Sequence, residues 1–462
     1  ATLMSLWASE GEVHMALHDA AAGRIGILSL PVPEGRFPSV AGHHPPAQRL
    51  ERTIADLHGL QPQGADDVRP WLDHGHWEIA HPLGAAAAAV PRLPYVFLPV
   101  EGESLHQVPV GPVHAGIIEP GHFRFTAQGE TLVRLEARLG YVHKGVDALM
   151  RGATLERGAE LAGRVSGDST VAYVWAFAQA AEAALELAPP PRAQWLRLVM
   201  AELERLANHL GDIGAICNDA SFAMMQAQCS VLREQVLRAS AACFGHRMLR
   251  DRIVPGGVTA DLDAAGVAVL RGLLDLIGGR FPGLVTLYDE TASLQDRTVG
   301  TGTLANALAR RFGAGGFVGR ASGRDFDVRR DLPYAPYDMQ PPAVPLRSEG
   351  DVNARVWIRI HEIEASVALI RTALDRLPGG AVRAELLAPA GEVEGLGLVE
   401  GFRGDVLAWL RLAADGSIAR CHLRDPSWFQ WPLLEAAVEG NIIADFPLCN
   451  KSFNCSYSGH DL

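Results

Sequence analysis

The sequence predicts an α+β fold, because strand-like runs with polar turns mark both ends, long helical patterns fill the middle, and the composition is that of a globular protein. Its 462 residues suffice for about three structural units with a large core. Hydrophobic residues make up 48% and charged residues 20%, which excludes disordered, collagenous and coiled-coil classes. Lysine and arginine number 41 against 53 acidic residues, a net charge of −12 that argues against a nucleic-acid partner.

Residues 1–80 read as a small α+β unit, with apolar runs such as Ile25 to Leu30 and a helical segment around Arg49 to Leu60. Residues 81–110 read as a connector, since Pro82, Pro91, Pro94, Pro99 and Pro109 block long helices. A large domain then occupies 111–462. It opens with a hairpin, in which Phe123 to Thr126 and Thr131 to Leu135 flank a turn at Gly129. Helical periodicity follows over Thr170 to Leu187, Trp195 to Ile216, Gln226 to Met248, Ala264 to Ile277 and Ala354 to Leu377, a bundle of long helices. Beyond Gly379 short strands return, including Leu407 to Leu412 and Ile418 to Leu423.

The six cysteines, Cys217, Cys229, Cys243, Cys421, Cys449 and Cys455, contain no C-x-x-C pair and point to a reducing cytoplasm. The most apolar stretch, Leu83 to Val100, is broken by Pro91, Arg92, Pro94 and Pro99. With neither a signal-peptide pattern nor a lipidation motif, any membrane contact is expected to run through partners.

Three groups of residues could carry chemistry. The loop Gly111 to His122 holds His114, Glu119 and His122 among glycines and prolines, where binding groups concentrate but single histidines are commonly structural. Arg164-Val165-Ser166-Gly167-Asp168-Ser169 precedes an apolar helix, so Asp168 and Ser169 fit either a helix cap or an anion site. Glu202, Arg205, His209 and Asp212 share one helix face, as a solvated stripe or a buried ionic network. The residues Asn454 to His460 read as an ordinary polar segment.

Over almost its whole length the chain resembles the large subunit of group 4 membrane-bound [NiFe]-hydrogenases, including the formate hydrogenlyase type, and the homologous quinone-site subunit of respiratory complex I. The resemblance rests on Gly111 to Phe125, Tyr141 to Gly145, Glu202 to Asp219, Pro255 to Val258, Asp296 to Gly300 and Asn441 to Pro447. Phe37 to Trp71 resembles the end of the small subunit that accompanies the large one in complex I, fused here to it. Such hydrogenases hold their metals with four thiolates, from R-x-C-G-x-C and D-P-C-x-x-C. Here Ser166, Ser169, Ser456 and Gly459 stand at those positions, with Cys455 one place early, so the chain is of the hydrogenase-related type without metal ligands.

The resemblance therefore implies an architecture without hydrogenase chemistry, in which this chain holds no metal and no cofactor of its own. Electrons would come from the [4Fe–4S] cluster of an iron–sulfur small subunit and reach a quinone or another small acceptor in the vacated cavity. Ion translocation would belong to membrane-arm partners, a heel and antiporter-like subunits, with the chain peripheral on the cytoplasmic face of the cell membrane. His114, Arg164 and Asp168 are the implied catalytic residues, and Glu119, His122, Ser166, Ser169, Glu202, Arg205 and His209 the implied cofactor-binding ones. The rival expectation is a catalytically silent scaffold joining the peripheral and membrane arms.

Overall fold

A computed structural model describes residues 1–89, 91, 94–114 and 118–462. Val90, Arg92 and Leu93 of the connector, and Ala115, Gly116 and Ile117 of the Gly111 to His122 loop, lie outside the described residues.

The N-terminal unit is an antiparallel sheet of β1 (Thr2–Ser9), β2 (Glu12–Asp19) and β3 (Arg24–Pro31), with helix α1 (Ala47–His58) on one face. It is joined firmly to the rest of the chain. Trp7 stacks on His422 at 5.0 Å, Ser5 Oγ and His422 Nε2 lie 2.7 Å apart, and Arg424 Nε donates to the Met4 carbonyl at 2.8 Å. On the α1 side, Leu3, Leu6 and Trp71 share a core with Phe123, Phe429 and Trp431.

The expected hairpin is instead two strands of a three-stranded sheet, β4 (Leu105–Val110), β5 (His122–Gln128) and β6 (Thr131–Arg138), in the order β6-β5-β4. The last residues of the connector thus form an edge strand of the following sheet. Pro109 is tolerated there because an edge strand has one side on which a missing N–H goes unused.

Helix α2 (Thr170–Ala184) is buried along nearly its whole length. It packs against β7 (Val393–Gly401) of the C-terminal antiparallel sheet, whose other strands are β8 (Gly404–Leu412) and β9 (Ile418–Arg424). Gly395 and Gly397 permit this, since a Cβ at either would stand 2.6 Å from Ala184 N or 2.8 Å from Ala180 N. Helix α3 (Pro191–Asp219) is the central rod, starting on a proline whose absent N–H costs nothing at a first-turn position. It packs on α4 (Ala223–Phe244) and α6 (Val352–Arg376), and α4 packs on α5 (Ala264–Glu290). Helix α5 outruns its sequence pattern by passing through Pro282.

Three short helices, α7 (Ser427–Ala437), α8 (Phe446–Phe453) and α9 (Tyr457–Asp461), follow the last strand. Residues 455–462 are all buried, so the reading of an ordinary polar segment is overturned: the Asp461 carboxylate accepts the backbone N–H groups of Gly140 and Val142. Among the described residues no helix is long and apolar enough to cross a membrane.

Candidate functional site

A cavity of about 460 Å³ opens where four distant stretches of chain meet. Ile118 and Glu119 come from the loop before β5, Ser166 to Asp168 from the turn before α2, Arg403 from the turn between β7 and β8, and residues 447–458 from α8 and the start of α9; Asp219, at the end of α3, closes the rim.

At its base the two altered motifs come together. Ser166 Oγ lies 3.0 Å from Ser456 Oγ although 290 residues separate them. Ser456 Oγ also accepts the Gly459 N–H at 2.9 Å, capping α9, while Ser166 Oγ donates to Asp168 Oδ1 at 2.7 Å. Arg403 holds this base rigid: its two Nη atoms donate to the two Asp168 oxygens at 2.8 and 2.6 Å, a bidentate pair, and Nη1 also reaches Ser169 Oγ at 3.0 Å. Burial raises the carboxyl pKa of Asp168, but the Arg403 guanidinium and the serine hydroxyls outweigh that and hold it well below the usual carboxylate range. Asp168 thus serves an ion pair rather than a cap, and Ser169 makes no capping bond. The open N–H groups of Val171 and Ala172 are taken by the Glu204 carboxylate, reaching across from α3 at 2.7 and 3.2 Å.

These donors do not fit a nickel–iron centre. Four hard or absent ligands replace four thiolates, and a guanidinium is fixed among them by Asp168. At Gly459 a side chain has no room, because its Cβ would stand 2.7 Å from Asp425 Cγ and 2.9 Å from Ser456 Oγ. No set of three or more histidine, cysteine or carboxylate side chains among the described residues is placed to hold a metal ion.

The residues expected from sequence divide into three groups. Glu119, Ser166 and Asp168 line the cavity, Glu119 Oε2 accepting the Ser458 N–H at 3.1 Å, and Ser169 stands behind them. Arg164 does not belong to the site: it turns outward, half-exposed, and pairs with Asp251, whose carboxylate satisfies it better than a buried location without a free partner would. His114 and His122 are not among the lining residues either. Their rings close the loop upon itself, His114 Nε2 at 2.8 Å from the Gly121 carbonyl and His122 Nδ1 at 3.3 Å from that of Gly111. Glu202, Arg205 and His209 lie behind the cavity in a fully buried network, so the solvated-stripe alternative fails. Asp212, on the same helix, faces the cavity wall instead, accepting from Asn454 Nδ2 at 2.9 Å and from Arg359 Nε at 3.1 Å.

Sequence reasoning missed Arg403, Lys451, Asn454 and Tyr457. Arg403 sits in the two-residue turn that Gly401 and Gly404 close, a detectable hairpin signal, but nothing local shows that the turn faces Asp168. Lys451 is the cavity's flexible cation. Burial raises the Asp219 carboxyl pKa, and Lys451 pulls against that rise.

The family described as the respiratory-chain NADH dehydrogenase 30 Kd subunit matches residues 7–89, and that of the 49 Kd subunit matches residues 219–390. Formate hydrogenlyase subunit 5 of Escherichia coli (strain K12) is 31% identical over 92% of this chain and 77% of the relative. The carbon monoxide-induced hydrogenase of Rhodospirillum rubrum is 31% identical over 76% of this chain and 98% of the relative. In fold, the chain superposes with a TM-score of 0.72 and 23% identity on a chain of an archaeal membrane-bound sulfane sulfur reductase complex, covering 78% of this chain and 99% of that one.

Proposed function

The chain belongs to the family of complex I 49 Kd-type and group 4 hydrogenase-type large subunits, with the 30 Kd-type unit fused at its N-terminus, and on that premise we propose that it is the core subunit of a membrane-associated, complex I-like oxidoreductase. In this reading it takes electrons from the [4Fe–4S] cluster of an adjacent iron–sulfur subunit and delivers them to a quinone headgroup or another small oxidised molecule in the cavity. Heel and antiporter-like membrane subunits couple that reduction to ion movement. The chain sits peripherally on the cytoplasmic face, and its contact with the membrane is made by those partners.

The observation that carries the proposal is the meeting of Ser166 and Ser456 at the base of an open cavity. In this reading the cavity corresponds to the family's reaction site, with a hydrogen-bonded polar floor where the resemblance puts soft metal ligands. Each cavity residue has a definable part. Arg403 and Asp168 neutralise each other and form a fixed dipolar base. Lys451 supplies a positive charge on the lining, suited to an acceptor oxygen or other atom that gains negative charge on reduction. Glu119, whose Oε2 accepts the Ser458 N–H, is a carboxylate that can take up a proton from solvent and pass it to the reduced product. The volume suits a small acceptor or a headgroup.

Lys451→Met in the assembled complex tests this. Its acceptor reduction should fall at least about tenfold, as loss of a positioned charge does, while subunit composition stays unchanged. Unchanged turnover in Lys451→Met and in Glu119→Gln alike would favour the scaffold.

A further inference from the structure

Behind the cavity lies a cluster whose charges do not balance. Four carboxylates, Glu202, Asp327, Glu362 and Glu400, are joined by direct ion pairs to three guanidiniums, Arg205, Arg320 and Arg329, and each is 2% exposed or less. His209, fully buried, bonds through Nε2 to Glu362 at 2.7 Å, and its Nδ1 meets no partner. With that imidazole neutral, the directly paired groups hold four acids against three guanidiniums, an excess of one negative charge that the nearby buried Arg324 meets only through space. A proton bound within it removes the excess.

We propose that this cluster is a proton-storage site and that the exchangeable proton resides on the Glu400 carboxyl. The geometry favours Glu400 over its neighbours. Glu202 faces Arg205 and Arg329 and accepts from the Tyr337 and Ser366 hydroxyls, and Glu362 faces Arg205, Arg320 and His209, so both are fully compensated as anions. Asp327 is chelated by the Arg329 side chain and backbone. Glu400 has one guanidinium contact, Arg320 Nη1 at 2.9 Å, plus the Val328 N–H. It shares that nitrogen with Asp327, at 3.2 Å, so two carboxylates crowd one cation.

Five charged residues and one tyrosine face Glu400: Arg320 from the short helix 316–321, Asp327 and Arg329 from the segment after it, Arg324 from between the two, Tyr334 from the loop after residue 331, and Asp405 from β8. Burial foremost, with Asp327 and against Arg320 and Arg329, raises the Glu400 pKa to about 7, whereas burial lowers that of His209.

The site is coupled to the cavity through the backbone. Glu400 and Gly401 lead directly into the turn that carries Arg403, and Arg205 clamps both of their carbonyls, at 2.8 and 3.1 Å. Binding adds one proton to Glu400 and moves no electrons. The assignment stands on the cluster alone, whatever the cavity reduces.

The test is infrared spectroscopy of the full chain from pH 5 to 9 in a Glu204→Gln background, which removes the other buried acid raised toward neutrality. A protonated-carboxyl band that titrates near neutral pH and is lost in Glu400→Gln is the expected result. Asp327→Asn, which removes the crowding charge, should shift the same titration to lower pH by at least one unit, and this decides the matter if Glu400→Gln does not fold. A band absent from the parent, a band unaltered in both variants, or a doubly protonated His209 imidazole at neutral pH by nitrogen NMR would overturn the proposal.

Discussion

At the scale of single residues, the consequences of burial are largest at Arg205 and Glu204. Arg205 is 1% exposed and neutralises Glu202, which is fully buried. Removing the cation leaves that carboxylate short of a partner, so Arg205→Met is expected to lose about 3–5 kcal/mol in denaturant unfolding. The double change with Glu202→Gln should recover part of it, because no buried charge is then stranded. Glu204 behaves oppositely. Burial pushes its pKa up to about 8 despite two backbone N–H bonds. Between the unfolded carboxyl value and that raised one, the folded chain keeps a proton that the unfolded chain has lost. Stability from this group is therefore full at acid pH and falls as pH rises toward 8, by at most about 1.4 kcal/mol per unit. Glu204→Gln should flatten that part of the stability–pH curve, as thermal melts across the range would show, while giving up one of the two backbone N–H bonds because an amide offers a single acceptor oxygen.

At the scale of elements, the contact between α2 and β7 sets the position of the cavity floor. The turn Ser166 to Ser169 leads into α2, and Arg403 follows β7, so their separation fixes whether the Asp168–Arg403 pair closes. Small residues set that separation: Ala176 and Ala180 on the helix, Gly395 and Gly397 on the strand. Gly397→Ala places a methyl group 2.8 Å from Ala180 N in a packed interface. It is expected to cost about 1–3 kcal/mol and, unlike an exposed glycine substitution, to slow acceptor reduction by displacing Arg403. Unfolding midpoints and turnover of the same variant check both halves. The helical pattern announced α2, whereas the strand-like runs read from the sequence were those of β8 and β9 and not β7; the closeness of α2 and β7 follows from where the side chains are missing.

At the scale of the whole molecule, chemistry depends on distant stretches of chain brought to one place. Purified protein is expected to hold no stoichiometric nickel, and so is the fourfold variant with cysteine at Ser166, Ser169, Ser456 and Gly459, because Asp425 occupies the space of the fourth side chain. Elemental analysis of both proteins measures this. A single Gly459→Cys should also lower the unfolding midpoint by itself, since a buried carboxylate must move.

Much of this was determined by the sequence alone. Periodicity and capping identified the long helices and two of the C-terminal strands, because amphipathic spacing and turn chemistry are local properties; that Ser166 and Ser456 belong to one site was implied only by the resemblance to hydrogenase large subunits. Only the tertiary structure decided which charges are inside. Glu202, Arg205 and His209 look the same on a solvated helix as on a buried one; α6, the segment 316–331 and β7, all distant in sequence, close over them. Arg164 was named and Arg403 was not, for the same reason. An ion pair forms between groups that the fold brings within about 3 Å, and Asp251 and Asp168 chose their arginines across 87 and 235 residues.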